Sequence, residues 1–351
     1  MDVKNKCELS IIIPIYNGSR FLRETLDSAL NQTYKEYELI LVDDGSTDET
    51  TQICDEYAAK DSRIKVRHQK NGGMSNARDN GYKMAQEGTY IAFLDADDIF
   101  HPDMFKDMMK YGTSDIVCVC FENVLSSKIL EHSFHIKKDK VEHMSGKTML
   151  HRLFERENNN GEISRLWGML IKRDFYEKML GTIREAESIL PQNYLNDIYC
   201  VPRFLFNADT VTLLNNVYIF HRISKYTDSR LLKPNALHYE LALANKMNME
   251  YYTKKRCKFA YEESLIGFYL VILKIWYQTV TQEDNETTRK QYMNLTQKYY
   301  DEYFDALKKL KCKSISRRIV KGTIILFKFN KTIWKLMIGD VRYKIMYRFQ
   351  Q

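Results

Sequence analysis

Proline is scarce in this sequence and glycine is modest, at 5 and 14 of 351 residues. Collagen-like and linker-rich designs, which need many of both, are excluded. Cysteine is equally thin. The seven positions (Cys7, Cys54, Cys118, Cys120, Cys200, Cys257 and Cys312) are odd in number and scattered, with no CxxC pair. Neither a disulfide framework nor a structural zinc site is expected. Cys118 and Cys120 sit two apart in an apolar stretch and read as small buried hydrophobes. No apolar run approaches the roughly 18 residues of a membrane span. The best stretch, Leu265–Ile275, is interrupted by Gly267 and Lys274 and has the length of a buried helix. The amino-terminal MDVKNKCELS has no apolar core of the signal-peptide kind. These absences together point to a reducing, cytoplasmic setting.

What is present is a globular composition, with 44% hydrophobic and 28% charged residues. At ~150 residues per domain the length suits two domains, or one large domain with an appendage. The formal net charge of +7 is unevenly placed. Residues 313–351 carry ten Lys or Arg against the single acid Asp340, so the basicity belongs to the tail and the rest of the chain is slightly acidic. Nucleic acid is not expected as a partner, because no recognised binding motif accompanies that charge.

The first ~120 residues alternate strand and helix signals. Apolar β-branched runs at Ser10–Ile15, Tyr37–Val42, Ile64–Val66, Thr89–Leu94 and Asp115–Val119 read as strands, with helical patterns between them. This rhythm predicts an α/β fold with a mostly parallel, Rossmann-like central sheet covered on both faces. From about 234 onward the pattern is helical, which places a domain boundary near 225: a catalytic domain at 1–225 and a helical domain with a basic amphipathic tail at 226–351. Loops within 125–165 and 222–233 are candidate covers for a site.

Polar residues gather after three predicted strands: Tyr16-Asn17, Asp43-Asp44 and Asp95-Ala96-Asp97-Asp98. Crowding carboxylates at strand ends is expensive unless something positive sits among them. Asp95 and Asp97, two apart, suit a hard divalent cation that is also held by phosphate oxygens. Asp43 reads as a structural partner of the following helix and Asp44 as the ligand-facing acid, able to accept from a nucleobase N–H on which Tyr16 stacks. Arg78, after the Gly-rich turn at Asn71-Gly72-Gly73, is placed to reach a base or phosphate.

The runs SIIIPIYN (10–17), QTYKEYELILVDDGSTD (32–48), NGGMSNARDNG (71–81), YIAFLDADD (90–98), LWGMLIKRDFYEK (166–178), LNDIYCVPRF (195–204) and VYIFHRISKYTDS (217–229) resemble, as a set, the inverting nucleotide-sugar glycosyltransferases of family 2, which have the GT-A fold. The resemblance covers about residues 8–225. It implies that Pro14, Tyr16, Asn17 and Asp44 line a nucleoside pocket and that Arg78, Asp95 and Ala96 lie by the nucleotide. It implies that Asp97, assisted by Asp95, holds Mn²⁺ or Mg²⁺, and that His221 or Arg222 lies beside the diphosphate. Trp167, Asn196 and Asp98 are implied for the sugar or acceptor side, and Asp197 as general base. Where the family commonly has Glu-Asp this chain has Asn196-Asp197, so the base is kept and its neighbour changed.

The implied activity is transfer of a hexose or N-acetylhexosamine from a UDP-sugar to a hydroxyl of a lipid-linked or protein-linked glycan, in cell-surface polysaccharide or glycoprotein synthesis. An inactive GT-A-like binding or scaffold subunit is the alternative, and retention of Asp44, Asp95, Asp97 and Asp197 together speaks against it. A nicotinamide-dependent oxidoreductase fails because SIIIPIYNGS lacks the G-x-G-x-x-G fingerprint. A nucleotidyltransferase would need a Gly-rich, Lys-bearing first loop that is not here. The bases of 313–351 interleave with Phe327, Phe329, Trp334 and Phe349, a pattern compatible with a peripheral membrane contact at the inner face of the cell membrane or with packing on the protein. The helical region is also a candidate surface for homo-oligomers.

Overall fold

The computed structural model describes residues 7–85, 88–125, 141–155, 165–189, 199–223, 236–282, 285–310, 321–322 and 324–325. The chain divides into two compact units, Met1–Leu153 with Asn160–Asp228, and Phe154–Asn159 with Ser229–Gln351.

The first unit opens with the expected alternation: β1 (Leu9–Ile15), α1 (Ser19–Leu30), β2 (Tyr37–Asp43), α2 (Thr50–Lys60), β3 (Ile64–His68), α3 (Met74–Met84) and β4 (Tyr90–Phe93). Every residue of β1 and β2 is buried, as continuous apolar strands covered on both faces must be. Helix α1 buries Leu22, Thr25, Leu26 and Ala29, the three-and-four spacing of one helical face. Strands β3, β2, β1 and β4 lie side by side in that order, all parallel. The chain thus steps outward from β1 to β3 and then returns to the other side of β1. The gap between the carboxyl ends of β1 and β4 is a topological switch point, where open α/β sheets bind ligands.

Beyond β4 the pattern changes. There follow β5 (Ile99–Phe100), α4 (Met104–Met109), β6 (Ile116–Leu125), β7 (Val141–Met144), α5 (Gly146–Glu155), β8 (Met169–Lys172), α6 (Arg173–Ile189), α7 (Val201–Asn207) and β9 (Val211–Ile223). β8 runs antiparallel to both of its neighbours, β4 and β6. β9 is parallel to β6 but antiparallel to β5 and β7. The sheet is therefore mixed, where the strand–helix rhythm had predicted a mostly parallel one. That rhythm stops at β4, and a short apolar run such as Met169–Ile171 carries no signal of direction. Part of the expected covering loop, 141–155, is instead strand β7 and helix α5. Helix α3 starts at Met74 behind Gly73, and Ser75 does not cap it.

One close approach ties α3 to the sheet. A Cβ on Gly81 would run into Ile12 Cγ2 and lie 3.1 Å from Val42 Cγ2. Helix propensity favours Ala over Gly by about 1 kcal/mol. Overpacking against two β-branched strand residues costs ~1–3 kcal/mol, so the clash wins. Gly81→Ala is expected to lower the melting temperature; an unchanged or higher value would show that Ile12 and Val42 have room to yield.

The second unit is helical: α8 (Ala236–Lys254), α9 (Lys258–Gln282), α10 (Glu286–Glu302) and α11 (Phe304–Lys309). Its core gathers Leu265, Phe268, Tyr269, Ile272, Tyr300 and Phe304, among others. Asn285 caps α10 by accepting from Thr288 N at 3.0 Å. Among the described residues no helix is long and apolar enough to cross a membrane. Most of the basic tail lies outside the described residues. Its described fragment packs on this unit: Ile324 is buried in the same core, its carbonyl accepts from Tyr300 Oη at 2.6 Å, and Lys321 Nζ donates to the carbonyls of Lys308 and Leu310.

Candidate active site

Because β1, β2, β3 and β4 are parallel, the segments that follow them share one edge of the sheet. Those segments carry Tyr16-Asn17, Asp43-Asp44, His68-Gln69 and Asp95–Asp98. The loops after β2 and β3 touch backbone to backbone. Gly45 has φ +74°, and a Cβ there would meet Asn71 N at 2.7 Å, so both conformation and space demand glycine.

Asp43 is structural, as its position suggested. Its carboxylate accepts from Ser46 N at 3.0 Å, Thr51 Oγ1 at 2.7 Å and the His68 ring at 3.0 Å. Burial works against its charge, but the bonds to Ser46, Thr51 and His68 prevail and hold it below the usual carboxylate range. Burial likewise opposes charge on His68, yet Asp43 on one ring nitrogen and Asp55 on the other raise its pKa. A raised folded-state pKa contributes stability that is whole below the ordinary histidine value and fades as pH rises through the raised one. The wild-type melting temperature, measured against that of His68→Gln, is therefore expected to lose its advantage as pH climbs from about 6 to 8. A constant difference over that range would refute the ion-pair contribution.

Asp44 is buried, and its carboxylate is engaged by the next loop: Gln69 Nε2 and Gly72 N at 2.8 Å on one oxygen, Gly73 N at 2.8 Å on the other. In this state it shapes the Gly-rich turn ahead of α3. Asn17, at φ +49°, staples the loops after β1 and β2: its Oδ1 accepts from Thr47 N at 2.8 Å and its N donates to Ser46 Oγ at 2.9 Å. Pro14 is buried within β1. Tyr16 is 56% exposed, a large aromatic left open beside the switch point.

At the end of β4 four residues form an acidic turn. Arg78, reaching from α3, is buried and donates to Asp95 Oδ1 at 3.0 Å. Its buried Nε has no hydrogen-bond partner among the described residues. Beside it is a small recess lined by Ser75, Asp79, Leu166, Tyr176 and Phe204, among others. The Ala96 carbonyl accepts from Thr25 Oγ1 at 3.0 Å, which fixes the turn to α1. Asp98 is fully buried and accepts from Arg222 N at 3.0 Å and from the His221 ring at 3.1 Å. His221 stacks on Trp167 with ring centroids 5.3 Å apart and 18° between planes, and Phe121 closes on both rings edge to face. Burial disfavours the imidazolium, but the charge of Asp98 and its hydrogen bond outweigh that and raise its pKa. Trp167, implied for the sugar or acceptor side, is only 3% exposed and forms the wall behind His221. Asn196 and Asp197 lie outside the described residues.

Asp97 differs from its neighbours. Its half-buried carboxylate has no hydrogen-bond donor among the described residues. Burial, then the negative charges of Asp98 and Asp95, push its carboxyl up to about 8. Among the described residues no group of three or more His, Cys, Asp or Glu side chains forms a metal cage. Among the described residues the turn offers two hard carboxylates, Asp95 and Asp97, with the rest of a coordination shell left to water and ligand oxygens. That donor set fits Mg²⁺ or Mn²⁺, which keep several non-protein ligands.

Sequence reasoning missed Glu24 and Gln69, which brace this site. Glu24 pairs with Arg222 at 2.7 Å, and Gln69 joins Asp44 to Asn76. Neither stands in a motif, and a Glu on a helix is usually solvated.

The model of glycosyl transferase family 2 matches residues 10–180. An uncharacterized glycosyltransferase, EpsJ, of Bacillus subtilis (strain 168) is 49% identical over 98 residues, 28% of this chain and 28% of its own length. The cholesterol galactosyltransferase of Borreliella burgdorferi is 31% identical over 239 residues, 65% of this chain and 64% of that protein. The chain thus spans less than two thirds of these relatives. A crystal structure of S. aureus TarS 1-349 in complex with UDP-GlcNAc aligns with 91% of this chain and 80% of that one, at 18% identity and a TM-score of 0.47.

Proposed function

This chain belongs to glycosyl transferase family 2 through its residues 10–180, and from that premise we propose that it is an inverting glycosyltransferase with a GT-A-type catalytic domain. It moves a hexose or N-acetylhexosamine from a UDP-sugar to a hydroxyl of a lipid-linked or protein-linked glycan. The observation that carries this reading is the acidic turn at the switch point. There the Asp97 carboxylate, with no side-chain or backbone donor among the described residues, shares its turn with Asp95, which the buried Arg78 holds at 3.0 Å.

The residues divide the chemistry as follows. Exposed Tyr16 offers a face for the base. Asp44 and the Asn71–Gly73 turn form the floor beneath it, and Asp44 reaches a base N–H if it releases one loop amide. Arg78 supplies positive charge near the nucleotide while steering Asp95. Asp95 and Asp97 would hold the divalent cation, which when bound neutralises charge on the departing diphosphate. His221, held by Asp98, presents a second donor to that same side. On the opposite face of the sugar, Asp197 takes the proton of the attacking hydroxyl, so one bond forms at the anomeric carbon as the bond to diphosphate breaks, and configuration inverts. Asn196 beside it contributes no charge, which leaves Asp197 as the single base of its segment. Contact of residues 313–351 with an anionic membrane would bring the enzyme to a lipid-linked acceptor.

The test is a panel of nucleotide sugars with Mn²⁺, Mg²⁺ or chelator, scored for nucleoside diphosphate release with and without glycan acceptors. Cation-dependent release from a UDP-sugar, with an inverted product, is expected. A product of retained configuration, or no binding of any nucleotide, would defeat the proposal.

A further inference from the structure

Arg222 stands next to the acidic turn, where the resemblance implied a contact with diphosphate. Its side chain is only 1% exposed and is fully engaged inside the protein. Nε donates to the Asp97 carbonyl at 2.7 Å, Nη2 donates to Glu24 at 2.7 Å, and the guanidinium lies over the Phe21 ring at 4.2 Å. Its backbone N holds Asp98 at 3.0 Å. One residue of β9 therefore ties both sides of the peptide that carries Asp97: the carbonyl of Asp97 itself and the carboxylate that follows. Thr25 holds the preceding carbonyl, that of Ala96, from the same helix as Glu24.

The direction of a side chain is fixed at its Cα. With the flanking peptides pinned, the Asp97 carboxylate has little freedom beyond its own rotamers. A planar guanidinium is the group that can meet a carbonyl and a carboxylate in one plane while stacking on an aromatic ring. A lysine ammonium cannot do all three. Reaching a phosphate instead would require Arg222 to abandon Glu24 and the Asp97 carbonyl and leave both without their donor.

We propose that Arg222 is a positioning residue for Asp97, and that Glu24 on α1, outside the crevice, acts through Arg222 to set how tightly the cation–nucleotide pair is held. This rests on the cation role proposed for Asp97. Groups that orient metal ligands typically matter by about 10–100-fold in affinity. Because Glu24 is partly exposed, the lower end is expected for it.

The experiment compares wild type with Glu24→Gln, Arg222→Lys, Arg222→Gln and Asp97→Asn in the full chain. Free Mn²⁺ is followed by electron paramagnetic resonance with and without UDP, UDP binding with chelator by calorimetry, and transfer kinetics against Mn²⁺ concentration. For Glu24→Gln and Arg222→Lys the Mn²⁺ constant is expected to weaken about tenfold, with kcat at saturating Mn²⁺ changing much less. UDP binding in chelator should be unchanged for both. Wild-type Mn²⁺ affinity in folded Glu24→Gln and Arg222→Lys would overturn the inference. So would Arg222→Gln losing UDP affinity in chelator, which would make Arg222 a direct phosphate ligand. Equal Mn²⁺ binding by wild type and Asp97→Asn would instead overturn the cation role of Asp97, a separately recognised failure.

Discussion

Asp97→Asn is expected to abolish cation-dependent nucleotide binding while leaving the ligand-free protein at least as stable as wild type. The two halves of that result come from one fact. Asp95 has Arg78, and Asp98 has Arg222 N and His221. For Asp97, burial and then the charges of Asp98 and Asp95 outweigh those of His221 and Arg222 and push its carboxyl up to about 8. A charge in that position costs the empty fold energy, because His221 and Arg222 do not fully offset its desolvation and the repulsion of Asp98 and Asp95. Asparagine keeps the shape and removes the repulsion. It also removes one of the two protein ligands proposed for the cation, so the loss of affinity should exceed the roughly 10–100-fold typical of outer groups. Thermal melting without ligand, then with UDP and Mn²⁺, reads both halves: the variant should melt no lower than wild type alone and show no Mn²⁺-dependent rise. A ligand-free melting temperature well below wild type would mean that Asp97 is a structural acid, and an undiminished Mn²⁺-dependent rise would remove it from the cation site.

How far the sequence disclosed this arrangement follows from what its signals encode. Apolar runs ending in polar clusters located β1, β2 and β4 and their shared edge, because burial on both faces of a parallel sheet writes a continuous hydrophobic run. The structural part of Asp43 was legible from its place ahead of a helix. The two-residue β5 and the four-residue β7 left no comparable trace, since their pairing is decided by β9 and not by their own pattern. The orientation of His221 and Arg222 was equally hidden. Adjacent strand residues point to opposite faces, but which face meets the acidic turn depends on the irregular pairing of β9 with β6, where register shifts beside Cys120. Asp44 shows the converse limit. Its motif was readable, but its engagement with Gln69, Gly72 and Gly73 comes from a loop 25 to 29 residues away.

The other large effect belongs to Asp197, and its signature should be the reverse of that at Asp97. An alcohol is a weak nucleophile and must shed its proton as it attacks, so removing the base raises the barrier of the chemical step alone. Loss of a positioned general base costs typically 10²–10⁴-fold in rate. Asp197→Asn is therefore expected to lower kcat by about that factor while UDP and Mn²⁺ bind as in wild type, since asparagine matches the carboxylate in size and the cation is proposed to be held by Asp95 and Asp97. The comparison is informative because two carboxylates in one site are assigned opposite tasks: one must hold a cation, the other must stay free of it to accept a proton. If Asp197 were instead part of the cation shell, its replacement would weaken Mn²⁺ binding in parallel with kcat. If it were only structural, the variant would melt early and Asp197→Glu would restore folding and activity together. Single-turnover transfer under saturating UDP-sugar, run beside calorimetry of UDP with Mn²⁺, separates these outcomes. A kcat within about twofold of wild type, far short of the 10²-fold floor for losing a base, would assign proton removal to another group.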